Sequence, residues 1–107
     1  MLRIEPLVTH ADERGALLKV HPGSVAGEVY TVVTRPGEER GHHYHPGMGE
    51  WFVAVSGSGV LRAADPQTGA TQSVALAGVR VHVPAGIAHA LVNTGTEGLV
   101  VIALAEH

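Results

Sequence analysis

Glycine and proline interrupt this chain so often that no helix of useful length can be drawn through it. Fourteen glycines and six prolines fall among 107 residues. No window of about 11 residues keeps apolar side chains at helical spacing without meeting one of them. What remains are short runs rich in valine, leucine and threonine, separated by "RPGEERG", "PGMG", "GSG", "DPQTG", "PAG" and "TGTEG". Each of those segments carries residues that supply a positive or a fixed φ for a tight turn. The pattern predicts strands over 16–21, 28–34, 42–45, 50–56, 59–64, 71–76, 79–83, 88–93 and 99–105. Strands this short and numerous must close on themselves or double up to protect their edges, so the expected fold is all-β, a sandwich-like barrel or jelly roll. A length of 107 residues fits one domain, 1–107.

Composition narrows the function. Apolar residues make up 45% and charged residues 16%, which is globular rather than disordered. The net charge is −3, and the basic residues, Lys19 and six arginines, are scattered, which argues against a nucleic-acid partner. The absence of cysteine removes disulfides, thiolate nucleophiles and thiolate metal sites. No basic segment followed by an apolar run opens the chain, and no run of about 18 apolar residues occurs, so the expectation is a soluble cytoplasmic protein that does not enter a membrane.

The stretch "HHYHPGMGE", residues 42–50, concentrates imidazoles and a carboxylate. On a strand, residues two apart share a face. His43 and His45 therefore pair, and Glu50 goes with Phe52 and Ala54, while Trp51, Val53 and Val55 face the other way. If Phe52 and Ala54 point into the barrel, so does Glu50. A carboxylate there needs a partner, because burying it unpaired costs several kcal/mol, about 2–7 even for a neutral polar group. Two imidazoles from the neighbouring strand and a third from His89, brought back by the turn at Gly86, can meet it through a shared cation. His42 is expected to face outward, and His82 to lie in the cavity or at an interface. His10, His21 and His107 lack neighbours of the same kind and read as surface or hydrogen-bonded residues. "GSG" reads as a hairpin turn, since no helix or lysine follows it.

Two spaced motifs carry a resemblance. Gly37-x5-His43-x-His45-x4-Glu50-x6-Gly57 and Gly78-x5-Pro84-x-Gly86-x2-His89-x3-Asn93 match the two motifs of the cupin superfamily, at 37–57 and 78–93, and together span 37–93, over half the chain. The resemblance implies a single-domain cupin double-stranded β-helix, a jelly-roll barrel. It also implies His43, His45, Glu50 and His89 as ligands of one divalent transition metal. Such nitrogen and oxygen donors suit zinc, manganese, iron, nickel, cobalt or copper without selecting among them. Gly57 and Gly86 would serve turns, Pro84 would end a strand, and Asn93 would support a turn through its side chain.

"DERGALLKV", "GEVYTVVTRPGEERGHHYH" and "EWFVAVSGSG" resemble the sugar-nucleotide epimerases and ketoisomerases within that superfamily. The implied function is an isomerase or epimerase acting on a carbonyl sugar, with the ion as Lewis acid and Tyr30 or His82 as the acid or base. Arg14, Arg35, Arg40 and Arg62 are candidates to meet a diphosphate, against the reading of each as a solvated strand-end residue. The alternatives are another metal-dependent cupin enzyme, an iron dioxygenase or a polyketide cyclase, or a non-catalytic cupin that binds a small molecule. A small barrel with exposed strand edges also favours a homodimer. Val25, Val29 and the stripe of Trp51, Val53 and Val55 are its candidate contacts, unless that stripe packs within the chain.

Overall fold

The computed structural model describes residues 1–24, 26–43 and 47–106, with His42 and His43 as backbone only. Eleven strands account for the regular structure: β1 Arg3–Pro6, β2 Val8–Asp12, β3 Gly15–Lys19, β4 Gly27–Thr34, β5 Glu39–His43, β6 Glu50–Ser56, β7 Gly59–Ala64, β8 Thr71–Ala75, β9 Val79–Val83, β10 Ala88–Asn93 and β11 Leu99–Glu106. There is no helix among the described residues, and none that could cross a membrane. Five strands form one sheet in the order β1-β9-β6-β11-β4, four form a second in the order β5-β10-β7-β8, and β2 and β3 pair only with each other.

The core lies between the two larger sheets. Alternation sends Phe52, Val81, Val83, Leu99, Val101 and Ala103 inward from the first sheet, to meet Leu61, Ala63 and Leu91 from the second, with Leu76 completing the cluster. Two turns follow directly from the sequence motifs. Gly57 has φ +84°, and a Cβ there would collide with the carbonyl oxygen of Gly98, so both the conformation and the close approach exclude a side chain. Asn93 donates from Nδ2 to the carbonyls of Thr34 at 2.9 Å and Glu97 at 2.7 Å, and accepts from the Gly95 amide at 2.8 Å. One buried amide thus ties the turn before β11 to the end of β4, as its position in the second motif implies.

Three expectations need correction. The strand expected at 42–45 begins earlier, at Glu39, and residues 44–46 lie outside the described residues. Two strands, β1 and β2, have no counterpart among the expected ones. Their sequences carry no sustained apolar alternation, and β1 is held instead by pairing with β9, where Glu5 faces Arg80. The expected strand at 16–21 is β3, and its partner is β2 rather than a sheet of the barrel; all ten residues of this hairpin are exposed.

The stripe offered as a dimer contact divides. Trp51 and Val53 are buried within the chain, whereas Val29 and Val55 are exposed, and Val25 lies outside the described residues. Trp51 is covered on the outer face of the five-stranded sheet by Arg80, whose Cζ sits 4.1 Å from the ring centroid, and by His21 and His82, at 6.1 and 4.9 Å between centroids. A guanidinium over an indole face gains cation–π attraction while its stem covers apolar surface.

The two motif glycines separate strain from collision. Gly78 also has positive φ, +73°, but a Cβ there meets nothing within 4 Å. Gly78→Ala is expected to lower the unfolding free energy by about 1–2 kcal/mol, the cost of a left-handed alanine. Gly57→Ala adds overlap with backbone and is expected to cost about 3 kcal/mol or more. Urea unfolding of both variants checks the ordering.

Candidate functional site

A half-open cavity of about 230 Å³ lies at the β4 edge of the five-stranded sheet, lined by Tyr30, Val33, Arg40, Phe52, His89 and Leu91 among others. Glu50, the first residue of β6, is 1% exposed, on the same face as Phe52. Tyr30 lies two strands away on β4, and its hydroxyl donates to Glu50 Oε2 at 2.5 Å. Strand β11 runs between them, placing Ala103 opposite both Tyr30 and Phe52, and Ala105 opposite Glu50. Because both positions project only a methyl group, the tyrosine ring has room to reach across β11 to the carboxylate. Burial comes first, and the hydrogen bond to Glu50 second, in pushing the Tyr30 hydroxyl above its ordinary pKa of 10.0. Tyr30 is thus a neutral proton donor.

His89 enters from the second sheet. It is 6% exposed, its ring centroid is 5.0 Å from that of Phe52, and its backbone registers with Ala63 on one side and His43 on the other. The structure therefore brings the β5 backbone that carries His43 beside His89, and puts Glu50 and Tyr30 on the facing sheet. The His43 side chain and all of His45 lie outside the described residues. Among the described residues no three histidine, aspartate or glutamate groups cluster as a metal site. Glu50 and His89 are donors of the kind that suits a divalent transition ion, and the register admits His43 to the same set.

Sequence reasoning offers four arginines for a diphosphate, and the structure separates them. Arg14 forks onto Asp12 at the tip of the hairpin, at 2.7 and 3.2 Å. Arg62 pairs with Glu39. Cross-strand pairing with Ala90 sets Arg62 on the opposite face of the four-stranded sheet from the core. Arg35 is exposed between β4 and β5. Arg40 registers with inward-facing Leu91 and lines the cavity. A larger, shallower hollow of about 600 Å³ runs along Arg62, Ala64, Thr71 and Ser73. His89 borders both; the smaller cavity is the candidate site, because it adds Arg40 and Tyr30, whose hydroxyl is bonded to Glu50.

His82, considered as an acid or base, falls elsewhere. Val81 and Val83 on either side of it point into the core, so its ring lies on the outer face, with Nε2 2.6 Å from Glu106 Oε1. Of the two candidates, the geometry puts Tyr30 alone in the cavity. His10 is on the exposed hairpin, His21 accepts from Arg80 at 3.2 Å, and His107 is outside the described residues.

A family model described as "Polysaccharide biosynthesis C-terminal domain" matches residues 10–107. The chain belongs to this polysaccharide biosynthesis family. Its fold is the cupin jelly roll: a dTDP sugar isomerase from Desulfovibrio desulfuricans G20 superposes with a TM-score of 0.91 at 18% identity, over 98% of this chain and 76% of that one. A 3'-monoepimerase, ChmJ from Streptomyces bikiniensis, in complex with dTDP-quinovose, gives a TM-score of 0.85 at 25% identity, over 97% of this chain and 63% of that one. The curated UDP-2-acetamido-2,6-beta-L-arabino-hexul-4-ose reductase of Pseudomonas aeruginosa is 28% identical over 96 residues, 87% of this chain and 26% of the reductase. This member of the polysaccharide biosynthesis family thus spans about a quarter of that reductase and under two thirds of the epimerase.

The Tyr30 contact carries a pH signature. The folded state holds the phenolic proton more tightly than the unfolded chain does. Its contribution is therefore complete below the ordinary tyrosine pKa of about 10 and is lost as pH rises beyond it. In chelator-treated protein, ultraviolet titration is expected to show one tyrosine ionising late, with a matching alkaline loss of stability. Tyr30→Phe is expected to remove both.

Proposed function

We propose that the cavity binds the sugar of a nucleoside-diphosphate-linked keto-sugar, and that the chain is an isomerase or epimerase acting beside the ketone. The observation that carries this reading is the Tyr30–Glu50 pair: a protonated phenol held on a buried carboxylate, 2.5 Å away, beside His89 and Arg40. Likeness to epimerases and isomerases of nucleotide sugars supports the substrate class. A ketone acidifies the hydrogens on its neighbouring carbons, so the reaction is loss of one such proton and return of a proton to the same or the adjacent position. Proton loss and return run through Tyr30: its oxygen takes the substrate proton as its own passes to Glu50, and the reverse movement returns one to the substrate. Arg40, at the cavity, is the cation for the diphosphate.

A divalent transition ion belongs to the same proposal, with Glu50 and His89 as ligands together with His43 and His45. When bound, it supplies electrostatic stabilisation of an enolate oxygen. Tyr30, bonded to Glu50, then fixes the orientation of a ligand carboxylate, the usual service of a group that contacts a metal ligand rather than the metal. Family membership and the partial match to a keto-sugar reductase favour one second reading, that of a unit which holds such a sugar without turning it over.

Incubation with keto-sugar nucleotides in deuterated water separates the two. Catalysis places deuterium beside the carbonyl, and Tyr30→Phe is expected to slow its entry by about 10²–10⁴, the range for loss of a general acid or base. Arg40→Gln is expected to raise KM with little change in kcat. Chelation followed by re-addition of single metals is expected to abolish and restore exchange. Tight binding without exchange favours the holding unit, and neither binding nor exchange overturns the assignment.

A further inference from the structure

The ring of His82 lies outside the cavity, yet it reaches the strand that carries Glu50. Strands β9 and β11 flank β6, and at its start Glu50 registers with Val83 on one side and Ala105 on the other. On the outer face, His82 of β9 and Glu106 of β11 meet across β6, where Nε2 donates to Oε1 at 2.6 Å. The bond passes over the backbone of Gly49, the residue before Glu50. A Cβ on Gly49 would fall 2.6 Å from His82 Nε2 and 2.7 Å from Glu106 Oε1, and its φ is not positive, so glycine is needed there for close approach rather than for conformation. The Glu106 amide also donates to the Gly49 carbonyl at 3.0 Å.

Two bridges therefore stand back to back at the head of β6. On the inner face Tyr30 crosses β11 to reach Glu50, and on the outer face Glu106 and His82 join β11 to β9 behind it. Gly47, Met48 and Gly49 belong to no strand, so the direction in which Glu50 leaves the backbone depends on what holds Gly49. The Glu106 side chain is 53% exposed, and an ion pair so open to water adds little to stability. Its consequence is geometric: a short contact such as Tyr30–Glu50 keeps its function only while its atoms stay within about 0.5 Å of their places.

We infer that His82 and Glu106 are positioning residues, whose bridge over Gly49 holds the head of β6 so that the Glu50 carboxylate meets the Tyr30 hydroxyl. Neither lines the cavity. Their effect on turnover rests on the proposed function, in which Glu50 takes up the Tyr30 proton; their effect on the Tyr30–Glu50 contact does not.

The carboxyl carbon chemical shift of Glu50, in isotope-labelled and chelator-treated protein, reads that contact, and Tyr30→Phe marks its position when the contact is lost. Glu106→Ala opens the bridge, Gly49→Ala wedges it apart, and Glu106→Gln keeps an oxygen that accepts from His82. The first two are expected to move the Glu50 resonance most of the way to its Tyr30→Phe position. They are also expected to lower kcat for deuterium exchange by about 10–10²-fold with KM within about twofold, the scale for a reacting group displaced by up to about 1 Å. Glu106→Gln is expected to match wild type in both, and both Glu106 variants to unfold in urea near the wild-type midpoint. A wild-type resonance in Glu106→Ala or Gly49→Ala, a Glu106→Gln protein displaced as far as the alanine variant, or a resonance that Tyr30→Phe does not move overturns the inference. The expected displacements in a protein that exchanges no deuterium, wild type included, uphold the bridge and remove the proposed catalysis instead.

Discussion

A carboxylate held out of water sets the terms for the rest of this molecule. Glu50 stands on the inner face of a sheet whose other inward residues are phenylalanine, valine and alanine, and water cannot serve it there. Its oxygen is met by the Tyr30 hydroxyl, which lies two strands away and reaches it only because β11 places alanines between them. That contact draws on the register of three strands, on Ala103 and Ala105, and on a phenol kept protonated first by burial and then by Glu50. An apolar residue at position 50 would make an easier core.

The five-stranded sheet works on both faces. Its inner face contributes Tyr30 and Phe52 to the cavity, with Glu50 as the partner of Tyr30, and its outer face uses Trp51 and Arg80 to fasten the N-terminal segment. Period-two alternation separates the two tasks along the same strands. A change at Trp51 or Arg80 is therefore transmitted to the N-terminal segment directly, and to the cavity only through the backbone they share.

Much of this architecture is legible in the amino-acid sequence. Turn residues place seven of the nine expected strands close to where they lie. The apolar partners Phe52 and Ala54 set the direction of Glu50, and the spacing of glycine, proline and asparagine marks turns that the backbone makes. The face of His82 is also readable, because "VRVHV" alternates so that Arg80 and His82 oppose the valines. Other features depend on contacts remote in sequence. Strands β1 and β2 have too little apolar patterning to announce themselves; β1 is a strand because Glu5 finds Arg80. Arg40 faces the cavity through the register of β5 on β10, which shifts between His89 and Ala90, and no local pattern encodes that irregularity. Whether Trp51 is surface or core turns on where His21 returns across the sheet, thirty positions earlier in the chain.

The central claim is that ligand enters between the sheets, against Tyr30 and its bound carboxylate. Titrating the isotope-labelled protein with a nucleoside-diphosphate sugar, followed by amide chemical shifts, tests it most directly. The account predicts the largest changes at Tyr30, Arg40, Gly41, Phe52, His89 and Leu91, with the outer-face residues Arg80 and His82 little moved. Changes confined to the outer face, or to the hollow along Arg62 and Ser73, would contradict it.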